Sequence, residues 1–142
     1  MRPRAIIFED DDTLRELLSD ILHQRRYEVL SASNPLGCPV YDDLTARCPH
    51  EFACGDFLLT DNHMPAMTGL EFVKAQEERG CKGVVHNKAV LSAHWTDHEL
   101  EMANCLGCKI FHKPFSIDEI NNWLDEREKL IPPDRQLDDL NV

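Results

Sequence analysis

Phe57-Leu58-Leu59-Thr60-Asp61-Asn62-His63-Met64-Pro65 is an apolar run of strand character that stops at a single carboxylate, followed by a proline that no central strand tolerates. Asp61 therefore stands at the carboxyl end of a buried strand. Glu9 and Asp10 close a second short apolar run, Ser92 a third and Lys113 a fourth. Carboxylates crowded together repel one another and raise at least one pKa unless a cation sits among them. A hard divalent ion with oxygen ligands, Mg2+ in particular, suits such a set and keeps several of its waters. Lys113 adds a fixed positive charge and Ser92 a hydroxyl. Together these groups would cradle a phosphoryl group, whose transfer needs mainly in-line positioning and neutralised oxygens. Asp61 is the carboxylate placed to act as nucleophile, forming an acyl phosphate.

These residues meet only if the surrounding elements bring them together. Residues 4 to 8 read as a strand, and the acidic run after them opens a helix with Leu14, Leu17, Leu18, Ile21 and Leu22 on one stripe. Asp11 and Asp12 suit capping of that helix; Glu9 and Asp10 belong to the strand end. Residues 27 to 32 form a second strand, followed by turn chemistry from Ser33 to Pro39 and a short helix through Val40, Tyr41 and Leu44. Residues 48 to 55 are a loop or insertion ahead of the third strand, 56 to 60. Thr68, Thr96 and Ser116, each with a Glu three residues on, have capping-box spacing and start three further helices. Between them lie a fourth strand over 88 to 93 and a fifth over 109 to 112. The last helix places Ile117, Ile120, Leu124 and Ile131 on one stripe, with Trp123 and Leu130 off it.

Strand and helix thus alternate five times, the pattern of a doubly wound α/β fold with a parallel sheet and helices on both faces. In such a sheet every strand's carboxyl end lies on one edge, where ligands bind. Glu9, Asp10, Asp61, Ser92 and Lys113 all fall there. Taken singly, a Lys-Pro is an ordinary strand stop and an Asp before a turn an ordinary turn former; five such residues in this order are not.

The chain has 142 residues, 42% hydrophobic and 29% charged, enough for one domain (residues 1–131) with a short polar tail (132–142) for which no structure is expected. A net charge of -11 opposes a phosphate backbone and excludes direct nucleic-acid binding. The N-terminus offers too few apolar residues for a signal peptide or a membrane span, so a cytoplasmic protein is expected. The six cysteines are then expected to persist as structural thiols. Cys105-x-x-Cys108 would need further ligands, from Cys48, His50 and Cys54, to hold a metal.

The motifs Ile6-Ile7-Phe8-Glu9-Asp10-Asp11 with Arg15, Leu58 through Pro65 with Gly69, Val90-Leu91-Ser92-Ala93, and Lys113-Pro114-Phe115 resemble those of a receiver domain of a two-component response regulator. The resemblance covers residues 4 to 128 and implies a five-stranded flavodoxin-like fold. It implies that Asp61 accepts phosphate from a phosphohistidine of a sensor histidine kinase or phosphotransfer protein. Mg2+ would be held by Asp10, Asp61 and the backbone carbonyl of His63, with Glu9 acting through water. Ser92 and Lys113 would contact the phosphate and report its presence to a downstream protein. The implied chemistry is self-phosphorylation and autodephosphorylation only, not turnover of an external substrate. Nothing after Lys129 resembles an output domain, so a stand-alone receiver is expected, with docking on the face of the last two helices and the fifth strand, near Trp123 and Leu130.

Three features depart from the family pattern. Ile110 occupies the switch position three residues before the lysine, where the family often carries Tyr or Phe. His63 and His94 stand two beyond Asp61 and two beyond Ser92, positions that modulate loss of phosphate in the family; two imidazoles over the phosphoryl group would make that loss pH-sensitive. The segment from Cys48 to Gly55 is longer than the usual connection. Two competing readings are a pseudo-receiver that serves as an interaction module, and a Mg2+-dependent phosphohydrolase. The latter is disfavoured because His63 replaces the second carboxylate expected as general acid.

Overall fold

The computed structural model describes residues 2–36, 38–42, 47–65, 67–83 and 87–139. In chain order the elements are β1 (Arg4–Phe8), α1 (Asp12–Gln24), β2 (Glu28–Ala32), α2 (Pro39–Asp42), β3 (Phe57–Asp61), α3 (Gly69–Glu78), β4 (Lys88–Ser92), α4 (Asp97–Leu106), β5 (Lys109–His112) and α5 (Ile117–Glu128). All strand pairs are parallel, in the order β2-β1-β3-β4-β5. The order reverses between β1 and β3, and at such a switch point the carboxyl edge of an open sheet forms a crevice.

Every residue of the central strands β3 and β4 is buried, as expected of parallel strands covered on both faces. Side chains alternate between two cores. Ile7, Leu59 and Leu91 pack with Leu18, Ile21, Leu22, Ile120 and Leu124 of α1 and α5. Leu58 and Val90 pack with Leu70, Phe72, Val73 and Ala103 of α3 and α4.

The helix starts follow the capping signals. Asp11 accepts from the Leu14 amide, and Thr68 and Thr96 form reciprocal boxes with Glu71 and Glu99. Ser116 makes only the forward half, accepting from the Glu119 amide. Gly107 ends α4 in the left-handed conformation, at φ 72°, which a glycine adopts without a Cβ clash.

Several expectations need correction. β3 begins one residue later than expected and runs through Asp61, β2 begins at Glu28, and β4 ends at Ser92. Leu17 is 38% exposed and Ile117 49% exposed, at the margins of their stripes. Trp123 is only 6% exposed and sits edge-on to both Phe57 and Phe111. A helix packed on a sheet buries a stripe about 100° wide, so α5 takes Trp123 in along with Ile120 and Leu124. It is a core residue rather than part of a docking surface; Leu130, 63% exposed, remains outside. Leu44 lies outside the described residues.

The tail is ordered through its described residues. Arg135 clamps the buried Asp56 carboxylate with two bonds of 2.8 and 2.7 Å, and Asp138 accepts from the Phe52 amide and contacts His50 Nδ1 at 2.6 Å. Leu137 bridges Ala53 in parallel. The 48–56 segment is thus the surface on which residues 135–138 dock.

Candidate phosphoacceptor site

Strand register assembles the site. Phe8 pairs with Thr60, which places Glu9 beside Asp61, and Asp61 pairs with Leu91 one residue before Ser92. Ser92 pairs with His112, and the Lys113 amide donates to the Ser92 carbonyl at 2.9 Å. The Lys113–Pro114 peptide is cis.

Three carboxylates converge: Glu9 and Asp61, both buried, and Asp10, exposed, offer ligand oxygens within 4.8 Å of one another. The Lys113 ammonium lies 2.7 Å from Glu9 Oε1 and 3.1 Å from Asp61 Oδ1. Burial pushes the Glu9 carboxyl up to about 7; the Asp61 charge adds to this and Lys113 opposes it. Burial alone would lower the Lys113 ammonium, but Glu9 and Asp61 outweigh it and hold the pKa above its ordinary value. Burial likewise works against ionisation of Asp10, yet its bonds with Asp61 and Glu9 hold it below the ordinary carboxylate value. One ammonium therefore faces three acids.

Glu9 Oε2 is buried and has no hydrogen-bond partner among the described residues. An orphaned buried oxygen in an all-oxygen donor set fits a hard divalent cation. The Arg15 guanidinium donates to the Glu9 carbonyl at 2.8 Å and fixes the turn that carries Glu9 and Asp10.

The opposite wall is Ser92. Its hydroxyl donates to the His94 carbonyl at 2.9 Å and accepts from the His94 amide at 3.2 Å. A hydroxyl has one proton, so the 3.2 Å contact between Ser92 Oγ and His63 Nε2 runs with the imidazole N–H as donor. The His63 side chain thus reaches the site. His94 does so through its backbone, and its exposed ring makes no hydrogen bond among the described residues. Ile110 is half-buried on β5 and packs into the α3–α4 core.

Asn62 and Trp95 carry roles that sequence reasoning did not single out. The buried Asn62 accepts from the Leu70 amide at 3.2 Å and donates to Glu99 at 2.6 Å, tying the residue after Asp61 to the starts of α3 and α4. Trp95 Nε1 donates to the Phe111 carbonyl at 3.1 Å, spanning from the loop after Ser92 to β5. Their signals were position alone: directly after a strand-terminal acid, and three beyond a strand-terminal serine. Gly69 is required for contact: a Cβ there would lie 2.6 Å from the Asp61 carbonyl oxygen.

Such a sheet, with an acidic pocket, a lysine and a hydroxyl at its switch point, defines a module of the doubly wound α/β class. No family model matches the chain. Among curated proteins it is 28% identical over 135 residues to sporulation initiation phosphotransferase F of Bacillus subtilis, covering 93% of this chain and 96% of that protein. It is 29% identical over 85 residues to the transcriptional regulatory protein AruR of Pseudomonas aeruginosa, covering 60% of this chain but only 34% of that longer protein. Among solved structures, chemotaxis protein CheY4 of Vibrio cholerae superposes with a TM-score of 0.64 at 22% identity, over 89% of this chain and 98% of that one. The chain has the fold of response-regulator receiver domains and is similar over nearly its whole length to a curated phosphotransferase.

Proposed function

We propose that Asp61 accepts a phosphoryl group from a phosphohistidine of a sensor histidine kinase or phosphotransfer protein, and that its phosphorylation switches a protein partner. The observation that carries this reading is the Glu9, Asp10 and Asp61 trio held around one lysine ammonium. The relationship over nearly the full length of a protein named as a phosphotransferase supports it.

Lys113 occupies Asp61 Oδ1, which leaves Oδ2 to attack phosphorus. The new bond is Oδ2–P, the bond broken is P–N of the donor, and the imidazole leaves with the electron pair. Asp10, Asp61 and the His63 carbonyl are the residues that would hold Mg2+, with Glu9 acting through water. When bound, the ion neutralises phosphoryl oxygens and orients them for in-line transfer. Lys113 and Ser92 meet the remaining oxygens. Water later cleaves the acyl phosphate, and His63, hydrogen-bonded to Ser92, restricts its approach. Among the described residues no helix is long and apolar enough to cross a membrane, and the acidic surface favours a basic patch on a protein partner over nucleic acid. A cytoplasmic location completes the reading.

Incubation with acetyl phosphate and Mg2+, followed by intact-mass measurement, tests the proposal. An adduct that persists for minutes and is lost in Asp61→Asn is expected. Absence of an adduct would indicate a constitutive interaction module, and steady release of phosphate a phosphohydrolase; either outcome overturns it.

A further inference from the structure

Four of the six cysteines line one cavity of about 820 Å³ on the face of the sheet flanked by α2 and α3. They come from separate segments: Cys38 at the start of α2, Cys48 and Cys54 in the segment before β3, and Cys81 after α3. Cys105 and Cys108, the close pair in sequence, do not line it; Cys105 is exposed on α4 and Cys108 lies against the Ala103 carbonyl. His50 lines the cavity, but its Nδ1 is engaged by Asp138.

Lys88 provides a second, independent observation. It is only 4% exposed, lines the same cavity and makes no salt bridge among the described residues. Its ammonium instead contacts Gln76 Oε1 at 3.0 Å and Cys81 Sγ at 3.7 Å. A buried cation without a carboxylate partner is costly, and it calls for negative charge in the cavity. The thiols supply that charge only when they lose their protons.

We propose that Cys38, Cys48, Cys54 and Cys81 form a four-thiolate site for a Zn2+-like divalent ion, with Lys88 compensating its charge. Four thiolates are the ligand set of a closed tetrahedral structural site. Binding releases four protons to solvent and leaves a complex of charge −2, which the Lys88 ammonium partly offsets. Burial, with the neighbouring thiols adding to it, pushes Cys54 up to about 12 and raises Cys38. Cys54 and Cys38 therefore keep their protons in the metal-free protein, and because binding displaces protons, affinity rises with pH. Among the described residues the carboxylate trio is the set already within ligand reach of one ion, so the thiols must move inward across the cavity to close. Doing so would tie α2, the 48–55 segment and the α3–β4 connection to one point. The site is independent of Asp61.

The test is Co2+ titration of the full, reduced chain in saturating Mg2+. One equivalent is expected to produce thiolate-to-metal charge-transfer absorption that Zn2+ displaces. The bands should vanish in Cys54→Ser and in Cys81→Ser and persist in Cys105→Ser and Asp61→Asn; Lys88→Met should weaken affinity about tenfold. No bands, or bands that survive the Cys54→Ser, Cys81→Ser double variant, would overturn the proposal. If those variants fail to fold, alkylation of the unmodified protein decides. Zn2+ should protect these four thiols and leave Cys105 reactive, and equal alkylation with and without Zn2+ refutes the site.

Discussion

The Lys113 ammonium bridges Glu9 Oε1 at 2.7 Å and Asp61 Oδ1 at 3.1 Å, so one cation from the end of β5 joins the ends of β1 and β3. Both carboxylates are buried, which makes this bridge a condition of the fold as well as of the proposed phosphoryl transfer.

Replacing Lys113 with Met leaves two buried acids without their cation. A loss of about 2–3 kcal/mol is expected in urea unfolding at neutral pH without metal. Mg2+ should recover part of that loss, because an ion that binds only the folded state stabilises it. An unchanged unfolding midpoint would contradict the bridge.

Glu9 gives a pH signature in chelator-treated protein. Folded Glu9 keeps its proton up to about pH 7, whereas the unfolded carboxyl releases it near the ordinary 4.5. Between those values the folded state binds more protons, so this group lowers stability as pH rises through the window. Glu9→Gln should remove that downward slope; a variant with the same stability–pH curve as the parent would refute the assignment.

Gly69→Ala drives a Cβ to 2.6 Å from the Asp61 carbonyl. The obstacle is backbone, so the start of α3 or the end of β3 must shift. A cost of about 2 kcal/mol is expected, together with slower phosphorylation by acetyl phosphate.

His63→Ala removes the imidazole that donates to Ser92 Oγ. The phosphoprotein, followed by intact mass after removal of acetyl phosphate, should decay faster than the parent. Equal decay rates would show that the ring does not govern water access.

Arg135→Ala leaves Asp56 buried with the Arg4 amide as its remaining hydrogen-bond donor among the described residues. A loss of about 2–3 kcal/mol is expected in urea unfolding. With Asp56→Asn in the same chain the cost should be less than the sum of the two single changes, because the uncompensated charge is then gone.

What the sequence by itself determined was local. Apolar runs ended by Asp61, Ser92 and Lys113, two threonine capping boxes and the alternation of strand and helix all depend on near neighbours, and they announced a doubly wound sheet with its polar side chains gathered on one edge. The edges of elements shifted by a residue, since hydrogen bonds to neighbouring strands decide where a strand begins. Trp123 and Ile117 exchanged their expected places because a helix stripe has width, and only the sheet beneath α5 chooses which margin is covered. Tertiary structure alone decided the rest. The Glu9–Lys113 contact, the Asp56–Arg135 clamp and the thiol-lined cavity each join segments tens of residues apart, and such pairings follow from strand order and register, which no local pattern of residues encodes.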